Sequence, residues 1–173
     1  MKKLAILALV LITAISMTYS SDLEIGTKAP PILVQEWMND APDGDDPFEG
    51  KTVVLEFWAT WCGPCVRAIP HINELVEKYQ SDDLIFVSMT REKKAKVAKF
   101  MKKKDMKAYV ALDTKGKTNQ SYKIRYIPRA YIIGADGKIA WVGHPAHLTD
   151  KFFDYFLEHG SFPEMKKVPP KKK

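Results

Sequence analysis

A chain of 173 residues, 46% of them hydrophobic and 28% charged, is one domain by length and too apolar to be a disordered polymer. The formal charge of +6 invites a nucleic-acid reading, but the lysines are not interleaved with aromatic residues. Two cysteines are too few for a disulfide scaffold, so stability must come from the core and the pair is left for chemistry.

In chain order, Lys2 and Lys3 precede an apolar run from Leu4 to Ile15, followed by Ser16-Met17-Thr18-Tyr19-Ser20. A basic start, a short apolar stretch and small residues after it read as a secretory signal over 1–20, with cleavage after Ser16 or Ser20. The alternative is an uncleaved anchor, the one route by which the protein would meet a membrane. The chain is therefore expected to be exported, periplasmic or otherwise extracytoplasmic. With no cysteine near the cleavage region, a lipoprotein is excluded. A folded domain is expected over 21–165 and a disordered basic tail over 166–173.

Ile25 to Trp37 holds Gly-Thr-Lys-Ala-Pro-Pro and then an extended Ile-Leu-Val run, which reads as an N-terminal strand. Asn39 to Gly50 is a loop in which Asp43, Asp45, Asp46 and Glu49 lack the spacing of a calcium loop. Val53 to Phe57 is a buried strand, and it runs through Trp58-Ala59-Thr60-Trp61 into Cys62-Gly63-Pro64-Cys65 at the start of a helix. There Cys62 meets unpaired backbone N–H groups and the positive end of the helix dipole, both of which favour a thiolate. The thiolate is the species that attacks disulfides. Pro64 suits a first turn, where its missing N–H costs nothing. Cys65, one turn deeper, can displace a mixed disulfide from Cys62. A zinc site would need a second ligand pair, and His71 alone does not supply one.

Ile69, Ile72, Leu75, Val76 and Tyr79 carry the helix to Tyr79, with Pro70 expected to kink it. Leu84 to Met89 is a short buried strand. Glu92 to Lys104 is a helix with Val97, Ala98, Phe100 and Met101 inward and seven lysines on a solvated face. Tyr109 to Leu112 is a strand, Asp113 to Gly116 a turn, and Thr118 to Tyr122 a short helix. Ala130 to Ile133 and Ile139 to Val142 form a hairpin around Asp136-Gly137. Thr149 caps a last helix that turns Phe152, Phe153, Phe156 and Leu157 inward and stops at Gly160. His144 and His147 belong to a loop. Period-two alternation sets Glu56 on the face of Val54 and Trp58, so it points inward, where an unpaired carboxyl has a raised pKa.

Trp-Cys-Gly-Pro-Cys after Phe-Trp-Ala resembles the active site of the thioredoxin superfamily, and the longer pattern, from Ile25 to Leu157, its TlpA/ResA-like extracytoplasmic branch. The resemblance implies an α/β thioredoxin-like fold: a mixed central sheet flanked by helices, with an N-terminal strand extension and a central helix–strand insertion. It implies a cis bond at Ile127-Pro128 beside the cysteines, whose exposed edge pairs with a substrate backbone. Glu56 stands where thioredoxins have an aspartate that relays a proton, although the lysine that accompanies it has no counterpart in Leu84 to Met89. Arg129 departs from the small hydroxyl residue usual there. It would either stabilise the Cys62 thiolate or face solvent and select acidic substrates.

The expected catalytic set is Cys62, Cys65 and Glu56, and the expected substrate-binding set is Trp61, Gly63, Pro64, Ile127, Pro128 and Arg129. No metal or cofactor is expected. The partners are protein disulfides and an unidentified thiol donor, with no nucleic acid, and the protein is expected to be a monomer. Gly-Pro between the cysteines and Ile before the proline resemble the reducing thioredoxins, so the expected direction is reduction. A disulfide oxidase or isomerase, a thiol-based metal-delivery module and a peroxiredoxin-like peroxidase stay open as alternatives.

Overall fold

The run Thr52-Val53-Val54-Leu55-Glu56-Phe57 is buried at every position and forms strand β2. A strand covered on both faces is where β-branched and apolar residues lose least and gain most. The computed structural model describes residues 23–159. The expected signal over 1–20, the basic tail over 166–173 and the Gly160 stop lie outside the described residues.

Around β2 stand β1 (Glu36–Trp37), β3 (Leu84–Thr90), β4 (Tyr109–Leu112), β5 (Arg129–Ile133) and β6 (Ile139–Gly143), in the order β1-β4-β3-β2-β5-β6. The pairs β2–β3 and β3–β4 are parallel, and β1–β4, β2–β5 and β5–β6 are antiparallel. The sheet is therefore mixed. Strand β4 stands between β3 and the N-terminal β1, which is where the expected insertion enters it. The helices are α1 (Gly63–Tyr79), α2 (Lys94–Met101), α3 (Lys117–Ser121) and α4 (Asp150–His159), with a short 3-10 turn at Pro145–His147. Among the described residues no helix is long and apolar enough to cross a membrane.

Alternation along β2 divides the core. Val53, Leu55 and Phe57 join Ile85, Val87, Met89, Tyr122, Tyr131 and Ile133 on one face. Val54 joins Ile72, Leu75, Val76 and Tyr79 of α1 and Phe152 and Phe153 of α4 on the other. The Tyr79 ring stacks on Phe153 at 5.0 Å, and its hydroxyl donates to Asp154 Oδ1 at 2.7 Å, which fixes α4 against α1. His71 does more than sit on a helix surface, because its Nε2 lies 2.6 Å from the Leu148 carbonyl and holds the segment before α4.

Three expectations are corrected. The Ile25 to Trp37 segment is ladder-paired only at Glu36–Trp37, apart from an isolated bridge between Lys28 and Lys138. Pro30 and Pro31 have no N–H to give a ladder, so Ile32 and Val34 instead pack onto the sheet face as covering side chains. The lysine-rich helix runs from Lys94 to Met101 rather than from Glu92 to Lys104. Glu92 stays outside because its side chain is used elsewhere, as described below. Leu157 is 64% exposed, whereas α4 seats Phe152, Phe153 and Phe156 on the core.

Candidate active site

Strand β2 delivers its last residues to the N-terminus of α1. The Trp58 amide continues the β-ladder to the Met89 carbonyl at 3.1 Å, and the Cys62 amide closes a turn on the Ala59 carbonyl at 3.1 Å. Cys62 is the N-cap of α1, with extended φ and ψ of −81° and 97°, and its Sγ accepts the Cys65 amide at 3.2 Å. A sulfur thus takes the place that a serine or aspartate oxygen takes in an ordinary cap. Pro64 occupies the first turn, and no acidic residue stands there to oppose a negative sulfur. Cys62 and Cys65 are joined as a disulfide with Cα atoms 5.2 Å apart.

Both cysteines are buried, whereas Trp61, Gly63 and Pro64 beside them are exposed. Exposure does not separate the two sulfurs; their place on the helix does. Ile127, half-buried, packs against the apolar cluster that includes Trp58, Cys62 and Cys65. The Ile127-Pro128 bond is cis and Pro128 is buried. The structure thus gathers Cys62, Cys65, Trp61, Gly63, Pro64, Ile127 and Pro128 at one end of the sheet.

Glu56 lies beneath this end. It is 5% exposed, in register with Ser88 on β3 and Ala130 on β5. Its neighbours on the same face of β2 are Val54, which packs with Ile72 of α1, and Trp58, which packs with Cys65 and Ile69. Glu56 is therefore enclosed between β2 and the helix that carries the cysteines. Burial pushes its pKa up to about 7, against a smaller lowering by the Ser88 hydroxyl. Its Oε2 is buried with no hydrogen-bond partner.

Arg129 opens β5 directly after the cis-proline. It is paired in register with Phe57, so alternation puts it on the face of Phe57 and Tyr131, opposite α1. Its guanidinium lies 5.3 Å from the centre of the Tyr126 ring and 6.0 Å from that of Tyr131.

Thr60 and Glu92 are functional candidates that the sequence reading does not single out. Glu92 Oε2 accepts the Thr60 amide at 2.5 Å, Oε1 accepts the Thr60 hydroxyl at 2.9 Å, and Lys96 Nζ lies 2.5 Å from Oε1. Burial alone would raise the carboxyl, but the hydrogen bonds from Lys96 and Thr60 outweigh it and hold its pKa below the ordinary value. An ionised Glu92 thus clamps the loop that leads into Cys62. The sequence offers only a weak signal for it, an acid and a lysine at i and i+4.

A groove of about 570 Å³ opens beside the site, with Trp58, Trp61, Arg91, Glu92, Arg125 and Tyr126 in its wall. A larger recess of about 880 Å³, walled by Pro30, Trp37, Phe48 and Gly134, includes no residue of the cysteine motif. Among the described residues no cluster of histidine, cysteine, aspartate or glutamate could hold a metal ion. The site thus brings together two cysteines, a buried carboxyl on the strand beneath their helix and an open groove.

Comparison with known proteins agrees with this geometry. The Redoxin family model matches residues 26–154. The thiol-disulfide oxidoreductase ResA of Bacillus thuringiensis subsp. konkukian (strain 97-27) is 34% identical over 123 residues, 70% of each chain. The crystal structure of a chain described as thiol:disulfide interchange protein DsbE from Chlorobium tepidum is 28% identical with a TM-score of 0.60, over 70% of this chain and 86% of that one. The exposed lipoprotein thioredoxin Etrx1 of Streptococcus pneumoniae strain TIGR4 is 26% identical with a TM-score of 0.53, over 64% of this chain and 84% of that one.

Proposed function

Because the chain belongs to the Redoxin family and is a thioredoxin-like thiol–disulfide oxidoreductase, we propose that it is exported and reduces protein disulfides, with Cys62 attacking and Cys65 resolving. The observation that carries the reading is the cap of α1, where the Cys62 sulfur receives the Cys65 amide and no acid stands in the first turn of the helix. Such a sulfur is a thiolate at a lower pH than a free cysteine.

In the reduced protein, the Cys62 thiolate attacks one sulfur of a substrate disulfide. A Cys62–substrate bond forms, the substrate S–S bond breaks, and the departing thiolate takes up a proton. Cys65 then loses its proton to the Glu56 carboxylate and attacks Cys62 Sγ. The Cys62–Cys65 bond forms, the second substrate thiol leaves, and two electrons have moved to the substrate. Glu56 suits this part because a pKa of about 7 lets it accept and release a proton near neutral pH. Trp61, Gly63, Pro64, Ile127 and Pro128 form the surface on which the substrate chain lies. Arg129 serves that surface indirectly, by seating the Tyr126 ring that rims the groove.

The direction rests on the Gly63-Pro64 pair and on Ile127 before Pro128, which resemble the reducing thioredoxins. Export rests on the basic and apolar start of the chain, with residues 1–20 as the signal, 21–165 as the domain and 166–173 as a basic tail. The relative named as an exposed lipoprotein supports it. The protein acts as a monomer, on protein substrates and a thiol donor, without a cofactor. The test is the reduction potential of the pair against glutathione, beside turnover of insulin disulfides. A potential below about −230 mV with rapid turnover is expected. A value near about −120 mV would make the protein an oxidant instead.

A further inference from the structure

The groove beside the disulfide carries two arginines whose charge the fold does not neutralise. Arg91 and Arg125 are both exposed and both line the groove, and neither makes an ion pair among the described residues. The one carboxylate in the wall, Glu92, is already held by Thr60 and Lys96, so its charge is cancelled by the lysine. The groove therefore presents two uncompensated positive charges beside the exposed rings of Trp61 (69%) and Tyr126 (58%). The helix that borders the cysteines adds to this field. Phe100 of α2 packs on Trp58, 5.4 Å between ring centres, which seats the lysine-bearing helix next to the site. Of its lysines, Lys94 and Lys96 are paired with Glu36 and Glu92, while Lys99 is exposed and has no ion-pair partner among the described residues.

We propose that this groove selects redox partners that carry aspartate or glutamate next to the reacting cystine. The proposal rests on the dithiol exchange put forward above and adds its substrate class. The physical reason is complementarity. An extended acidic segment lying on Trp61 and Tyr126 brings its carboxylates to the two guanidinium groups, which bind carboxylates in a two-pronged geometry. Positive charge around the entrance also raises the encounter rate of acidic partners. A basic segment meets repulsion at the same place. Selectivity of this origin falls with salt, because both arginines are exposed.

The experiment follows single-turnover oxidation of the reduced protein by three synthetic peptides. Each contains one intramolecular cystine, flanked by Asp and Glu, by Ser and Gln, or by Lys. Because it reads exchange in one turnover, it does not depend on which direction the protein works in the cell. At low salt the acidic peptide is expected to react about tenfold faster than the neutral one, and the basic peptide slower still. The acidic-to-neutral ratio should fall below about twofold in 0.5 M salt, and likewise in the double variant Arg91→Gln, Arg125→Gln. Arg125→Glu should move the preference toward the basic peptide, a gain that a misfolded variant cannot produce. Equal low-salt rates for the acidic and basic peptides would overturn the proposal while leaving the exchange reading intact. So would an undiminished acidic preference in the double variant. Failure of all three peptides to oxidise the protein would instead overturn the exchange reading, and this proposal with it.

Discussion

Ser88 donates its hydroxyl to Glu56 Oε1 at 3.2 Å, across the parallel pair of β2 and β3. One neutral hydrogen bond does not offset complete burial, so the carboxyl keeps a pKa of about 7 rather than the ordinary 4.5. That relationship makes Glu56 both a proton acceptor near neutral pH and a liability to the fold above it.

The catalytic consequence is a pH profile. Below about pH 7 Glu56 is already protonated and cannot take the Cys65 proton; above it, it can. Resolution of the mixed disulfide should rise with pH through about 7 in the parent. In Glu56→Gln that inflection should vanish, and resolution near pH 7.5 should slow by about tenfold or more. Stopped-flow decay of a preformed Cys62 mixed disulfide checks it. Superimposed profiles for parent and variant would reduce Glu56 to a structural residue.

Stability carries the opposite sign. The folded pKa of Glu56 is raised, so between pH 4.5 and about 7 the folded state holds a proton that the unfolded state has lost. Stability therefore falls as pH rises through this window. A shift of this size corresponds to about 3 kcal/mol, fully felt above pH 7 and absent below 4.5. Glu56→Gln should be more stable than the parent at pH 8, and the gap should close by pH 4.5. Urea melts at the two pH values make the comparison.

The division of labour between the sulfurs is tested by deletion. Cys62→Ser should abolish exchange. Cys65→Ser should react once with a disulfide substrate and stop as a mixed disulfide, because nothing displaces the substrate from Cys62. Mass spectrometry of the intact protein after mixing gives the answer. Normal turnover by Cys65→Ser would reverse the assignment.

Glu92→Ala removes the acceptor for the Thr60 amide and hydroxyl and strands Lys96. Losing the two hydrogen bonds that the mostly covered carboxylate accepts from Thr60 should cost about 2 kcal/mol in thermal or urea unfolding, with little added by the exposed Lys96. The loop before Cys62 should loosen as well, which amide exchange at Thr60 would register. Unchanged protection of that amide would mean the clamp does not hold the loop.

Arg129→Thr should leave the Cys62 thiolate titration at 240 nm where it is in the parent, because the guanidinium lies against Tyr126 and Tyr131 on the far face of the sheet. The loss should show in stability, by about 1 kcal/mol from the ring contacts. A titration that moves upward in the variant at low salt would put the arginine back beside the sulfur.

The strands and the cysteine helix were legible because each rests on a local signal. Thr52 to Phe57, Leu84 to Thr90 and Tyr109 to Leu112 are β-branched or apolar runs, and Gly63 to Tyr79 has helical periodicity behind a capping motif. The inward direction of Glu56 followed from alternation within one strand. The orientation of Arg129 did not, since its parity is fixed by pairing with Phe57, far away in the chain. The Thr60–Glu92 clamp was hidden for the same reason: its partners stand 32 residues apart, and no local pattern says which carboxylate reaches that amide. The short N-terminal strand shows local propensity losing to Pro30 and Pro31, whose missing donors keep an apolar run out of the ladder.

The sheet order also sets a timetable. Strand β2 and the cysteines are made early, but β2 is flanked by β5, which is among the last strands to be synthesised. Ile127, which packs against the cluster that holds Cys62 and Cys65, arrives only just ahead of β5. Until then α1 has half a sheet to rest on, and an emerging polypeptide carries both thiols open to whatever oxidant or metal ion it passes. A nascent chain arrested before Arg129 should therefore alkylate at both cysteines as fast as a short unstructured peptide, and the same chain released beyond Gly143 should close over them.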